Sequence, residues 1–484
     1  FFFVSKVLPW VTREMSSSDT EEQPLLIGVD GSLRELSDDW VEPVFPNTPR
    51  NPSSNQQGAM FFYLVVLRIL VHYDSGAIAA LIGSGSCDGK DHACDNSVTM
   101  ISQLHLSYAE AGLMAGLTYL GLTLACSFGG IMLERYSTKL MLTLSLTCEL
   151  LAIIIFACST NKYLSLASRA LTGAGQAVFI MFIPIWVDEF APRTSISWWM
   201  ALSQIGSNLG IIFGYVAAGV VTSETSLGWR WPFFFQVIVM VPAILAFLLI
   251  DAARVDITAP ARSETTSPGE QRNAFVEGCL QFPQVLTEPV FFLASAVLSV
   301  MYFVVAGMQV WIAPFLHAPP FSIPMTTIVL IYGGIATTAP ALGLVLGGLI
   351  LDYFGGYERM HSTVTFMFLC ALVGISASWA VMLTTHLAEA AFLVWLVLFC
   401  GGATVPACMG VALAAVDKHL RPIASSLQLL IVNLFGWFAG PLVCGVTASV
   451  MQDVRWGFRT TMVSTNLSGL LLLMLRMVVW RRNP

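Results

Sequence analysis

Asp74 and Arg169 are ionisable side chains inside largely apolar stretches of this sequence, where few residues could do chemistry. Asp74 stands in MFFYLVVLRILVHYDSGAIAALIG, and Arg169 stands in LSLASRALTGAGQAVFIMFIPIW. A guanidinium near the centre of a membrane helix costs roughly 2.5–3.5 kcal/mol on insertion scales, so it normally faces a protein interior or a wet cavity and finds a partner there. Asp74 has too short a side chain to reach the membrane surface. Both residues are therefore candidates for a structural ion pair, or for binding a proton and a substrate.

Arg68 and His72 precede Asp74 in the same stretch. They are four residues apart, so a helix would place them on one face. Arg68 has a structural interpretation as well as a functional one, because a long basic side chain can extend toward the membrane surface or pair locally. Both residues stay in the candidate cavity set.

The second half of the chain offers amides and an aromatic ring instead of charges. The candidates are Gln309, Trp311, Gln428 and Asn433. A cavity with one charged side and one apolar, amide-bearing side suits an amphiphile with an anionic or zwitterionic head group. The same residue types also line sugar sites, so a small polar solute remains an alternative substrate.

These residues must be positioned by membrane helices. The 484-residue chain is 56% hydrophobic and only 11% charged, whereas soluble domains are about 25% charged. A spanning helix needs about 20 apolar residues. Windows of that kind predict twelve spans, at 58–83, 107–132, 139–159, 163–187, 197–221, 230–251, 288–314, 324–350, 361–384, 389–415, 422–449 and 457–480. The predicted fold is an all-α membrane protein with twelve transmembrane helices.

The spans divide into two groups of six, separated by a polar segment. We predict a disordered cytosolic tail at 1–57, six-helix bundles at 58–251 and 288–480, a cytosolic linker at 252–287 and a short tail at 481–484. Loops on the side of the two termini carry more Lys and Arg than the opposite loops, which favours cytosolic termini. In that topology Asp74 and Arg169 both fall in the non-cytosolic half of the membrane, where they can pair.

The N-terminal tail contains the segment EEQPLLI. Glu21 followed by Leu25 and Leu26 matches the acidic dileucine pattern that vesicle-coat adaptors bind on flexible cytosolic tails. The composition of the tail, rich in Ser, Asp, Glu and Pro, is typical of disorder. The motif predicts an adaptor as partner and an endosomal, lysosomal or vacuolar membrane. The plasma membrane is the alternative, because so short a pattern also arises by chance.

Cys87 and Cys94 share the polar loop GSGSCDGKDHACDNS after the first span. The loop lies on the non-cytosolic face of the predicted topology, where oxidation is permitted. The two cysteines are a candidate disulfide pair, with free thiols as the alternative. No grouping of the seven histidines predicts a metal site or a catalytic centre, so no enzyme activity and no cofactor are expected. No basic run predicts nucleic-acid binding, and we expect a monomer surrounded by membrane lipids.

A motif follows the second span and recurs, more weakly, after the eighth. Its residues are Gly130, Glu134, Arg135 and Lys139 in GGIMLERYSTKLML, and Gly348 and Asp352 in GGLILDYFGGY. The spacing resembles the G-x3-D/E-R-x-G-R/K-R/K loop between helices 2 and 3 of the major facilitator superfamily, with Ser137 and Thr138 as departures. Two copies at matching helix ends are typical of a transporter built from an internal repeat. The resemblance implies two six-helix bundles and a cytosolic gate formed at these helix ends.

Several segments further resemble the Spinster family of lysolipid and sphingolipid transporters. They include HYDSGAIAALIG, RALTGAGQA, IPIWVDEFAP, GSNLGIIFGYVAAG and YFVVAGMQVWIAPFL. In that family an Asp in helix 1, an Arg in helix 4 and a Glu further along helix 4 are linked to substrate binding and proton coupling. Asp74 and Arg169 match the first two positions. Gln176 occupies the third, and because an amide cannot titrate, this departure puts coupling through that position in doubt.

The sequence therefore predicts a secondary active transporter that works by alternating access. The resemblance implies a lysophospholipid- or sphingolipid-like substrate, with a proton gradient as the candidate energy source. A carrier of a sugar, amino acid or organic anion is the alternative within transport, and a non-transporting membrane sensor is the alternative outside it. A membrane enzyme would need a nucleophile and base or a metal cluster at membrane depth, which the sequence lacks.

Overall fold

A computed structural model describes residues 54–84, 99–192, 196–255, 283–353, 359–417 and 420–482. Within these ranges the side chains of a few residues are also left undescribed, among them Gly130, Glu134, Arg135 and Asp352. The predictions on the sorting signal (Glu21, Leu25, Leu26) and on the cysteine pair (Cys87, Cys94) lie outside the described residues. Both remain predictions.

Twelve helices of the described residues are long and apolar enough to cross a membrane, and these residues contain no β-strand. They are α1 (Ser54–Ser84), α2 (Tyr108–Arg135), α3 (Thr138–Cys158), α4 (Lys162–Phe190), α5 (Ile196–Glu224), α6 (Trp231–Leu249), α7 (Pro289–His317), α8 (Met325–Tyr353), α9 (Met360–Leu383), α10 (Leu387–Ala414), α11 (Arg421–Val432, Asn433–Phe438 and Ala439–Met451) and α12 (Arg455–Arg482). Helices satisfy all their backbone polar groups internally, as an apolar environment demands. The twelve predicted spans are confirmed, each within a few residues at its ends.

Helices α1–α6 form one bundle and α7–α12 the other. In the first bundle α1 packs against α5, and α4 packs against both α2 and α3. The small residues of α5 explain the first of these contacts: a Cβ at Gly214 would lie 1.8 Å from the Tyr73 carbonyl oxygen of α1, and one at Gly210 would lie 2.4 Å from that of Ile69. Glycine permits this close approach of two helix backbones. The arrangement brings α1, α3 and α4 together around Asp74.

The two bundles contact each other through α1 and α7, α2 and α11, and α5 and α8. Near the end of α5 the Ser223 hydroxyl oxygen lies 2.9 Å from that of Thr326 at the start of α8. The Ala109 amide of α2 donates to the Ser449 hydroxyl of α11 at 2.8 Å. All four residues lie at the end of the bundle that the topology predicts to be non-cytosolic. The two halves are therefore in direct contact at that end.

Helix α11 is irregular in the middle. Asn433–Phe438 form a π-helical segment between two α-helical parts. Trp437 of this segment lies between two tyrosine rings, with centroid distances of 4.9 Å to Tyr119 of α2 and 5.3 Å to Tyr302 of α7. Such π segments are frequent at functional sites. This one is at the contact between the two bundles.

Candidate functional site

Four charged side chains are buried among the described residues, and all four belong to the first bundle. They are Arg68, Asp74, Glu149 and Arg169. The buried polar side chains described in the second bundle are uncharged serines, threonines and glutamines. Ionisable groups within a membrane-spanning bundle are costly and often functional. The candidate site is therefore built from α1, α3 and α4.

Asp74 and Arg169 form an ion pair at the centre of this site. The Arg169 Nη1 atom donates to Asp74 Oδ2, and the side chains are 1% and 0% exposed. Helix α1 and helix α4 run in opposite directions, so a residue late in the first and one early in the second lie in the same layer. The pairing predicted from the topology is present. Neither residue lines an open cavity in this conformation, because both are enclosed by the first bundle.

The Arg169 guanidinium has N–H donors that the ion pair with Asp74 does not use. Arg169 Nε and Nη2 have no hydrogen-bond partner among the described residues. The Phe156 ring of α3 lies 5.6 Å from the guanidinium carbon. An arginine has five N–H donors and can bind two groups at once. Arg169 can therefore accept a second anionic partner without releasing Asp74.

Gln176 links the pair to a second carboxylate. Its Nε2 atom lies 2.8 Å from the Val71 carbonyl oxygen, 3.2 Å from Asp74 Oδ1 and 3.1 Å from Glu149 Oε1. An amide nitrogen carries two hydrogens, so three acceptors compete for two donors. Gln176 is thus a bridge between the carboxylates of Asp74 and Glu149.

Glu149 is the residue of this site that the sequence analysis did not single out. It lies near the middle of α3, is 0% exposed, and its Oε2 atom has no hydrogen-bond partner among the described residues. A close helix contact fixes it there: a Cβ at Gly175 would lie 2.6 Å from the Glu149 backbone nitrogen, and the Ser145 hydroxyl donates to the Gly175 carbonyl. A lone acid in the apolar run LTCELLAIII was the available signal.

Arg68 occupies a separate polar site between α1 and α5. Its Nε atom donates to the Ser207 hydroxyl at 2.5 Å, and Nη2 donates to Gln204 Oε1. His72 Nδ1 lies 3.0 Å from the Arg68 backbone carbonyl, so this contact is local to α1. Asp74 follows Arg68 by six positions, a rise of about 9 Å along a helix. Arg68 is therefore not part of the Asp74–Arg169 cluster. His72 lies on the side of α1 that faces α5, where a Cβ at Gly210 would lie 3.1 Å from the His72 Cβ.

The candidates of the second bundle fall in different surroundings. Trp311 is fully buried and donates from Nε1 to the Pro441 carbonyl at 3.1 Å, which gives it a packing role between α7 and α11. Gln309 and Gln428 are 8% and 6% exposed, and Gln428 Nε2 has no hydrogen-bond partner among the described residues. Asn433 is half-buried at the start of the π-helical segment. These residues do not converge with the charged cluster.

The second bundle also contains an apolar cavity of about 50 Å³ between α7, α9, α10 and α12. Its lining residues are uncharged, and include Val305, Ile375, Val397 and Leu398. In the part of the chain that the structure describes, no group of three or more His, Cys, Asp or Glu side chains is arranged to hold a metal ion. The charged and the apolar features thus lie in different bundles.

The gating motif is described in part. The Lys139 Nζ atom donates to the carbonyl oxygens of Leu248 and Ile250, at 2.9 Å and 2.6 Å. A lysine there satisfies carbonyls at the end of α6, where a positive charge is favourable. A Cβ at Gly348 would meet no described atom within 4 Å, so close helix approach does not explain that glycine. The gating role of the motif stays a prediction.

Three comparisons with known proteins bear on this site. The model of the Major Facilitator Superfamily matches residues 96–480. The probable sphingolipid transporter spinster homolog 1 of Arabidopsis thaliana is 23% identical over 454 residues, which cover 87% of each chain. The probable homolog 2 of the same plant is 25% identical over 416 residues, which cover 83% of this chain and 82% of that protein.

Solved structures share the fold. A bacterial homolog of the human lysosomal transporter Spinster, crystallised in an inward-facing and unoccupied conformation, superposes with a TM-score of 0.66. The sequences are 17% identical, and the match covers 89% of this chain and 98% of the other. The superposition shows that the two chains share a fold, and so low a sequence identity leaves the substrate to be argued from the site.

Proposed function

The chain belongs to the Major Facilitator Superfamily, and from that premise we propose that it moves a lysophospholipid- or sphingolipid-like amphiphile by alternating access. The sequence is Spinster-like along most of its length. The relatives named above are probable sphingolipid transporters. Their substrate class is the starting point for this chain, and the distribution of charge is the observation that carries the proposal.

The charge distribution suits an amphiphile. Every buried charged side chain of the described residues lies in the first bundle, and the buried polar groups described in the second are uncharged. In secondary transporters the substrate binds near the midplane, between the two repeats. A zwitterionic or anionic head group can then face the Arg169 side of the site, while the tail packs against the apolar second bundle.

Alternating access supplies the exposure that the buried pair lacks in this conformation. The halves touch at the predicted non-cytosolic end, through Ser223 and Thr326 and through Ala109 and Ser449. Rocking of one bundle against the other breaks these contacts and opens that end. The free Nε and Nη2 donors of Arg169 are the groups that a phosphate or sulfonate head would engage once the site opens.

The proposed location is an endosomal, lysosomal or vacuolar membrane, with the plasma membrane as the alternative. Glu21, Leu25 and Leu26 support it as a binding motif for a vesicle-coat adaptor. Large apolar side chains such as Phe62, Leu249 and Leu349 are exposed on the helices, which suits a chain surrounded by lipid tails. We propose a monomer as the working unit, since each chain contains both bundles of the transport cycle.

A small polar solute is the second candidate substrate. The buried Gln428 amide without a described partner favours it, because an unpaired buried donor is costly and a sugar hydroxyl or carboxylate would satisfy it. A non-transporting membrane sensor is the remaining alternative, and it differs from both in predicting binding without flux.

An unbiased substrate screen in liposomes tests the proposal. The purified full chain is reconstituted and offered labelled lysophospholipids, sphingoid bases, hexoses, nucleosides and amino acids, with protein-free liposomes as the control. We expect accumulation of a single-chain lipid and none of the polar solutes. Flux of a hexose or amino acid without any lipid flux would replace the proposed substrate by the second candidate. Saturable binding without flux of any compound would favour the sensor.

A further inference from the structure

The cluster around Gln176 carries one more carboxylate than it has cations. When all its groups are ionised, Asp74 and Glu149 contribute two negative charges and Arg169 contributes one positive charge. All of these side chains are buried, at 0%, 0% and 1% exposure. An ionised carboxylate without a paired cation is very costly in such surroundings, and the cost is relieved when the group takes up a proton.

Glu149 is the carboxylate that can bind this proton. Asp74 already has Arg169 as its partner, whereas the Oε2 atom of Glu149 has no hydrogen-bond partner among the described residues. Its other oxygen accepts from Gln176 at 3.1 Å. Binding a proton at Oε2 converts the carboxylate to the neutral acid, keeps the Gln176 contact and leaves the cluster without net charge.

The charged and titratable groups near Glu149 on the neighbouring helices do not supply it with a cation of its own. Helix α4 contributes Arg169, and α1 contributes Asp74. Helix α6, which packs against α3, contains no titratable side chain between Trp231 and Leu249. Tyr119 of α2 interacts with Asp74 and Arg169, and Cys148 is the neighbour of Glu149 on α3 itself. The fourth buried charge, Arg68, is bound by Gln204 and Ser207 of α5.

We propose that Glu149 is the proton-binding site of this transporter, with Gln176 transmitting its charge state to the Asp74–Arg169 pair. The inference rests on the proposed transport function, to which it adds an energy source. The proton comes from the acidic aqueous compartment and binds one carboxylate oxygen, so no other bond forms or breaks. The carboxylate thus stands on α3, across the α3–α4 contact from the amide of Gln176.

The charge state of Glu149 has a mechanical consequence. An ionised Glu149 competes with Asp74 for the free donors of Arg169 and attracts the Gln176 amide strongly. A neutral Glu149 leaves the donors of Arg169 to Asp74 and keeps only a weaker hydrogen bond from Gln176. The contact between α1 and α4 therefore differs in the two states. Helix α1 also contacts α7 of the second bundle. A proton on α3 is in this way linked to the interface at which the halves rock.

Infrared difference spectroscopy of the purified full chain in lipid tests proton binding without any substrate. The wild-type protein should show the carbonyl band of a protonated carboxylic acid that disappears as the pH is raised. The band should be absent in Glu149→Gln and present in the matched control Glu110→Gln, which removes a partly exposed carboxylate of α2. A band that persists in Glu149→Gln, or is missing from the wild type across the pH range, overturns the proposal.

A transport experiment compares lysolipid uptake into liposomes with and without a proton gradient directed into them. The quantity measured is the ratio of the two uptake rates. This ratio should exceed one in the wild type and in Glu110→Gln, and fall to one in Glu149→Gln. The exchange Glu149→Gln with Gln176→Glu returns a carboxylate to the cluster from α4 and should restore a ratio above one. An unchanged ratio in Glu149→Gln contradicts the proposal. Absence of lipid uptake in the wild type contradicts the proposed substrate instead, and the infrared result still decides on Glu149.

Discussion

The Gln176 side-chain amide of α4 lies 3.1 Å from Glu149 Oε1 of α3 and 3.2 Å from Asp74 Oδ1 of α1. One neutral side chain thus connects two buried carboxylates, only one of which has a cationic partner. At this position the Spinster resemblance implied an acid, and the amide found there cannot titrate, which left Asp74 as the candidate for binding a proton. The structure places an acid within reach of the same point from a neighbouring helix.

Removal of one partner of the buried ion pair should destabilise the first bundle. Asp74→Asn and Arg169→Met should each destabilise the protein by about 3–5 kcal/mol, because each leaves one buried charge without its partner. The double variant should lose much less than the sum of the two. Thermal unfolding of the purified variants in one detergent measures these differences.

A more exposed pair supplies the control for that comparison. Lys162 Nζ and Glu110 Oε1 are 2.7 Å apart, with side chains 29% and 28% exposed. Breaking it with Lys162→Met should cost no more than about 1 kcal/mol. Additive losses in the double variant of the buried pair would show that Asp74 and Arg169 do not interact energetically.

The α3–α4 contact should tolerate no side chain at Gly175. A Cβ there would lie 2.6 Å from the Glu149 backbone nitrogen, so Gly175→Ala should push the helices apart and destabilise the protein by roughly 1–3 kcal/mol. Gly334→Ala is the matched control, because nothing lies within 4 Å of a Cβ at that helical position. Equal melting temperatures for the two variants would refute the close contact.

A cross-link at the predicted non-cytosolic end should stop the transport cycle. The hydroxyl oxygens of Ser223 and Thr326 are 2.9 Å apart, so cysteine sulfurs at these two positions would lie close together, and an S–S bond of about 2.0 Å needs only a small further approach. The pair Ser223→Cys with Thr326→Cys should form a disulfide under oxidation and lose flux, and a reductant should restore it. Each single variant should keep its flux under the same oxidation. Full flux in the cross-linked pair would rule out opening at this end.

The dileucine signal makes a prediction about location. Leu25→Ala together with Leu26→Ala should move a fluorescently tagged chain from intracellular vesicles to the cell surface, because the adaptor loses both apolar contacts of its motif. Imaging of the tagged wild type and variant at equal expression measures the shift. An unchanged distribution would remove the sorting function from this segment.

The helices were predictable because hydropathy alone defines a span. The fourth span was predicted at 163–187 and is observed at Lys162–Phe190; helices continue past the apolar window because their backbone bonds extend to the membrane surface. Asp74 and Arg169 were predictable for a related reason, since a charge within an apolar run stands out and the topology assigns both to one layer.

Other features depend on tertiary contacts that no local pattern contains. Arg68 binds Gln204 and Ser207, and this contact is determined by the packing of α1 on α5. The π-helical segment at Asn433–Phe438 has no distinctive composition. The sequence shows Glu149 as a lone acid in an apolar run, but its hydrogen bond with Gln176 depends on which face of α3 packs against α4. That face is set by Gly175, whose role appears only when both helices are placed.

The most direct test of the transport mechanism is uptake of a labelled lysophospholipid into liposomes that contain the wild type, Asp74→Asn or Arg169→Ala at equal protein density. Lys162→Met serves as the variant outside the cluster. We expect saturable uptake by the wild type and by Lys162→Met, and loss of uptake in both cluster variants. Wild-type uptake by both Asp74→Asn and Arg169→Ala would show that the buried pair takes no part in moving the substrate.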